Sequence, residues 1–271
     1  MMLRLAIPLV LTLLLAPAFV APAAAAEPSF DCRTAKTARE LATCGDARLA
    51  AADRELAAAW REAIARLDPV TAKALREDQR KFLSDIDTGF DGELWGKQEA
   101  PEGKELRAQV AQLRRGGDYD ALAALEAQLR ERIAFLRNLT PAAAFTGLWK
   151  NHDSEFLVVA GDNGRYRATY GNNSFGWAKY QCHFTADFGT SDATAKGLAA
   201  SAAHNTDVDE NTASTLLMTR NGATLTLSEE FPDNVGDAPL PRICPHGGDF
   251  REPFFHTGLR ADDARRLKPG E

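Results

Sequence analysis

The chain is poor in the residues that carry most enzymatic chemistry. It has four cysteines and five histidines in 271 residues. His152, His183, His204, His246 and His256 form no His-x-x-x-His pair, so no metal of that kind and no cofactor is expected. No Gly-x-Ser-x-Gly elbow occurs, which removes the signature of a hydrolase nucleophile on a strand-to-helix turn. His152-Asp153-Ser154 contains the residue types of a triad. Chain neighbours cannot converge as one, and the run reads as a surface loop. A net positive charge is also lacking. The formal net charge is −6, which disfavours nucleic acid and anionic membrane surfaces as main partners, since both need a basic footprint. After the first 20 residues no apolar run approaches the ~20 residues of a membrane span, so stable membrane insertion is not expected.

The start of the chain reads as an export signal. Arg4 precedes an apolar run, and Ala24-Ala25-Ala26 supplies small residues for cleavage. Residues 1–26 are assigned as signal peptide and the remainder as a periplasmic or secreted protein. Phe30-Asp31 before Cys32 is not a lipoprotein context. In an oxidising compartment four cysteines favour two disulfides over a metal site. Three pairings exist. Proximity favours Cys32–Cys44, which leaves Cys182–Cys244.

Residues 27–140 follow a helical period. Thr37-Ala38-Arg39-Glu40 has the form of a capping box. Asp46 can cap a helix carrying Leu49, Ala52, Leu56, Ala59 and Ala63 on one face. Asp68-Pro69 marks a stop and restart. Leu75, Gln79, Phe82, Leu83 and Ile86 follow, with Gln79 read as an amide tying helices together. Residues 87–103 hold four glycines and a proline and read as a loop around Phe90 and Trp95. Leu106, Val110 and Leu113 mark the next helix, and Leu122, Leu125, Leu129, Ile133 and Leu136 the last.

Residues 141–260 change to a two-residue period with seven or eight short strands, and 261–271 is a polar tail. Asp162-Asn163-Gly164 and Arg220-Asn221-Gly222 are hairpin turns. The expected fold is α+β in two domains: a disulfide-stapled helical bundle followed by an antiparallel β-barrel or sandwich. A hollow barrel would take a small ligand, with Trp149, Tyr166, Tyr170 and Trp177 lining its pocket. Paired carboxylates for glycan chemistry are a weaker alternative, because their spacing is set by the fold.

The helical half resembles the LprI-type lysozyme inhibitor family over residues of about 29–138. The resemblance rests on Ser29-Phe30-Asp31-Cys32, Thr37, Glu40, Cys44, Asp53, Leu56, Trp60, Gln79, Phe82, Leu83, Arg132, Ile133 and Leu136. The family's second cysteine pair is absent beyond residue 84. The resemblance implies a helical exported domain of the bacterial envelope that binds and occludes a lysozyme, and no catalysis of its own. Residues 141–271 carry 17 acidic and 12 basic side chains. Asp207, Asp209 and Glu210, and Glu229 and Glu230, are therefore candidate contacts for a cationic lysozyme-type enzyme. Trp95 is a candidate anchor on the helical half.

Overall fold

The structure is a computed structural model that describes residues 27–96, 98–116, 119–141, 144–172, 182–189, 194–203, 213–230 and 252–260. A 3-10 turn, Cys32–Thr34, leads into five helices: α1 Ala38–Gly45, α2 Ala47–Arg66, α3 Pro69–Trp95, α4 Gly103–Gly116 and α5 Tyr119–Asn138. Eight strands follow: β1 Gly147–Lys150, β2 Ser154–Ala160, β3 Tyr166–Asn172, β4 Cys182–Phe188, β5 Thr194–Ala203, β6 Ala213–Asn221, β7 Thr224–Glu230 and β8 Phe254–His256. The α+β, two-part expectation holds. No described helix is long and apolar enough to cross a membrane.

Local chemistry sets the helix starts. The Thr37 hydroxyl accepts from the Glu40 backbone N–H at 3.2 Å, and Glu40 accepts from the Thr37 N–H, which closes the capping box. Asp46 caps α2 by accepting from the N–H groups of Arg48 and Leu49. Asp68 caps α3 with Pro69 at the first helical position, where a missing N–H has no cost. Cys32 and Cys44 are bonded, with a Cα–Cα distance of 5.8 Å.

α3 corrects the expectation of a loop over 87–103. The helix continues to Trp95 although Gly89 and Gly92 lie inside it. Each glycine costs about 1 kcal/mol in a helix interior. Tertiary packing offsets this, because the buried stripe Leu75, Gln79, Phe82, Ile86 and Phe90 keeps its helical spacing across the glycines. Asp87 adds an anchor, accepting from the Arg39 Nε at 2.7 Å and from the Thr37 hydroxyl at 3.1 Å. Gly96, at φ +60°, then ends the helix. Leu122, Leu125, Leu129, Ile133 and Leu136 of α5 complete one core with Leu49, Leu56, Leu75, Phe82 and Ile86.

The strands pair in chain order, and β8 pairs with both β7 and β1, so the barrel is closed. Alternate residues point inward. On β2 these are Phe156 and Val158, facing Tyr170 and Ala168 of β3, which in turn face Phe184 and Ala186 of β4. Trp149, Phe188, Leu216, Met218, Leu225, Leu227 and Phe254 fill the rest. Tyr170 stacks on Phe184 at 4.9 Å, and its hydroxyl meets the Ser154 Oγ at 3.0 Å. The Trp149 indole N–H donates to the Phe145 carbonyl at 2.6 Å. Both polar tips are thus satisfied inside an aromatic interior. Gly147, at φ +128°, closes the seam: a Cβ there would lie 2.5 Å from the His256 Nε2.

β8 joins the two cores. Phe254 points into the barrel while Phe255 belongs to the helical core and meets Phe135 edge-on at 6.2 Å. The Thr140 N–H donates to the His256 carbonyl at 3.1 Å, so the chain leaving α5 is pinned to the last strand.

The disulfide closes a short loop between residues 12 apart. Replacing both cysteines by serine should lower unfolding stability by about 3 kcal/mol on the loop-entropy account. Urea titration of the oxidised protein and of the double variant measures the difference.

Candidate functional site

Two features of the described residues combine polar chemistry with shape: a buried junction where α3 and α5 meet the β1–β2 turn, and an open groove between α2 and α3.

The junction centres on Asp78, which is 4 % exposed, and on Arg132, which is 3 % exposed. The Arg132 Nη2 donates to the Asp78 Oδ2 at 2.6 Å, and its Nε donates to the Gln79 Oε1 at 2.8 Å. The guanidinium lies between two rings, 4.8 Å from the Phe82 centroid and 4.5 Å from that of Phe135. The other Asp78 oxygen faces the barrel. It accepts from the His152 backbone N–H at 2.7 Å and lies 3.2 Å from the His152 Nδ1. His152 Nε2 is 3.4 Å from the Asp85 carboxylate, and its Nδ1 is 3.4 Å from that of Glu252. Glu252 also pairs with Lys81. Alongside, Lys150 bridges Glu131 at 2.7 Å and Glu155 at 2.8 Å.

His152-Asp153-Ser154 is therefore not a surface loop. The His152 side chain is held against α3, and Ser154 is buried with its Oγ bonded to Asp153 at 2.6 Å and to Tyr170. Phe90 and Trp95 both lie on α3 rather than in a loop. Phe90 is in the helical core. Trp95 sits at the end of α3, half-buried, with its indole N–H donating to the Gln109 Oε1 at 2.9 Å.

Electrostatics fit a clamp better than a catalyst. Burial pushes the Asp78 carboxyl up, but Arg132 and His152 outweigh it and hold the group below the usual carboxylate value. Burial pushes His152 down, but its bond to Asp78 and the nearby Asp153 and Asp85 charges outweigh that, so its pKa is raised. Desolvation raises Asp85 above the ordinary carboxylate value. Both Asp78 oxygens are already occupied, leaving no approach for a substrate proton. The cavity beside the junction, of about 70 Å³ and lined partly by Phe82, Arg132, Lys150, Asn151 and Glu155, has the size for water rather than for a ligand.

The groove is larger, about 450 Å³, and open to solvent. Trp60 of α2 and Lys73, Arg76, Glu77, Gln79 and Arg80 of α3 line it. The four charged side chains are exposed, while Trp60 is half-buried against the helical core and Gln79 is buried.

The family-motif residues are distributed through the scaffold. Asp31 caps the 3-10 turn and pairs with Arg33. Asp53 accepts from the Ser29 N–H at 2.6 Å. Phe30 is half-buried, Thr37 and Glu40 form the cap, and Gln79 ties α3 to α5 as expected. Residues 31–136 match the model of a family described as Lysozyme inhibitor LprI. The helical half is LprI-like. No curated protein and no solved structure matches the chain, and the barrel lies beyond the matched residues. Within the LprI-like half, the matched range contains the helix caps, the staple and the Gln79–Arg132 bond. It does not contain His152, which joins from 74 residues after Asp78.

Of the other expected contacts, only Glu229 and Glu230 fall among the described residues. Glu229 and Glu230 end β7, opposite Leu216 and Thr215 of β6. Asp207, Asp209, Glu210, Trp177 and Cys244 lie outside the described residues; Cys182 opens β4.

The junction has a defined pH sign. A raised histidine pKa gives stability that is full below the unfolded value, about 6.5, and is lost as pH rises through the native value. Half-buried His256 acts in the opposite sense, because desolvation lowers its pKa. The two are separated by comparing wild type with His152→Asn. Wild type should lose its excess stability over the variant as pH is raised from about 5.5 to 8.5, read from urea midpoints. A difference independent of pH would show that folding does not raise the His152 pKa.

Proposed function

We propose that this is an exported protein of the bacterial envelope that inhibits a lysozyme-type enzyme by binding it and occluding its cleft. The observation that carries the reading is the match of residues 31–136 to the lysozyme inhibitor LprI family. The described geometry agrees with a binding role. Asp78, the most buried carboxylate of the junction, is saturated by Arg132 and His152. The interior of the barrel is filled by Trp149, Phe156, Tyr170, Phe184, Phe188 and Phe254, which leaves the ligand-binding barrel without support among the described residues. Trp149 and Tyr170 are core residues and not pocket walls.

Charge suggests how the encounter is steered. The acidic excess of residues 141–271 complements a cationic enzyme and would raise the association rate at low salt. Asp207, Asp209, Glu210, Glu229 and Glu230 are the carboxylates proposed to act this way, with Trp95 as a flanking contact on the helical half.

Titrating the purified mature protein into lysozymes of several types, with cell-wall lysis as readout, tests the proposal. Lysis by at least one type should fall to background at micromolar excess. Glu229→Lys with Glu230→Lys should slow association several-fold at low salt, with the gap closing as salt is raised. Undiminished lysis by every type at that excess would contradict inhibition.

A further inference from the structure

The α2–α3 groove has no part in the caps or the disulfide and shares only Gln79 with the junction, yet its chemistry is specific. Along α3, residues 70–81 carry Lys73, Arg76, Arg80 and Lys81 against Glu77 and the buried Asp78. This is a basic face on a chain of net charge −6. Lys81 turns to Glu252, and Arg80 makes a loose exposed pair with Glu77 at 3.8 Å. Lys73 and Arg76 make no ion pair among the described residues. Beside them lies the indole of Trp60, backed by the helical core. Gln79 closes the floor. Its Oε1 is taken by Arg132, which leaves the amide Nε2 as the end able to donate into the groove. Val70, one turn before Lys73, is the most exposed large apolar side chain described, at 70 %.

We propose that this groove binds a saccharide that carries a carboxylate. Each part of such a ligand has a counterpart. An indole face takes the apolar C–H face of a pyranose ring. An amide donor takes a ring substituent. Arg76 offers a planar fork for a carboxylate, and Lys73 adds a second positive charge. A volume of about 450 Å³ is in the range of small-molecule sites and suits one or two sugar rings. A purely acidic protein surface would need the charge but not the indole or the amide. A neutral glycan would need the indole but not two unpaired cations.

The site is independent of lysozyme inhibition, since it asks nothing of the acidic residues of the β half or of an enzyme. Placed on an envelope protein, it would hold the chain on carboxylated wall glycan, where lytic enzymes act.

The test uses the full mature chain and isothermal titration with three probes: the N-acetylglucosamine–N-acetylmuramic acid disaccharide, neutral chitobiose and a short poly-glutamate. The disaccharide should bind saturably and at least about 10-fold more tightly than either of the others, a ratio typical of one charge-assisted hydrogen bond. Arg76→Ala and Lys73→Ala lie on an exposed helix face and should each weaken it about 10-fold. Trp60→Phe, which keeps the core packing, should weaken both sugars. Equal binding of chitobiose, equal binding of poly-glutamate, no binding of the disaccharide, or full binding by the Arg76 and Lys73 variants would each overturn the assignment.

Discussion

One buried ion pair, Asp78 with Arg132, sets the relation of every other part. Two charges taken out of water repay their desolvation only with near-complete hydrogen bonding, and removing one partner typically costs about 3–5 kcal/mol. Here the requirement is met from three directions. Arg132 is bonded by Asp78 and Gln79 and sandwiched between Phe82 and Phe135. Asp78 takes its remaining bond from the backbone of His152, at the first turn of the barrel. The spacing of α3 from α5 and the seating of β1–β2 on the helices are thus consequences of satisfying one carboxylate. Phe255 extends the same junction in apolar form, leaving the barrel to pack on Phe135.

This constraint divides the molecule's labour. The interior polar groups are spent on structure, since Asp78, Gln79, Arg132, Ser154 and Tyr170 all bond one another or their neighbours. Among the described residues the barrel interior is packed with aromatic side chains. Recognition is left to the surface, which carries two characters: a basic groove between α2 and α3 that holds the Trp60 indole, and an acidic excess in the barrel sequence. Surfaces of opposite sign on one chain suit two partners of different charge better than one.

Much of the scaffold was legible in the sequence because it is local. Thr37 with Glu40, Asp46, and Asp68-Pro69 announce helix starts through side chains that reach only a few residues, and the structure uses each of them so. Cys32 and Cys44 pair as proximity suggests. The Asn-Gly turn after β6 works because Gly222 takes a positive φ of 58°. The extension of α3 was hidden because glycine content argues for a loop, whereas Phe90 and Asp87 hold the helix through contacts with distant α1 and the core. The junction was hidden for a similar reason. Gln79 on an apolar stripe signalled a buried amide, but nothing near Asp78 points to a histidine backbone 74 residues later. The groove was hidden because Trp60 and Arg76 lie on different helices and read separately as a core residue and a solvated charge.

The central claim is that the Asp78–Arg132–His152 junction makes the helical half and the barrel one cooperative unit. Native-state hydrogen exchange across a denaturant series tests it directly. Amides of α3 around Asp78 and amides of the β1–β2 hairpin should converge on one opening free energy with one denaturant dependence. Two separate opening reactions, with the hairpin exchanging while α3 stays protected, would contradict the account.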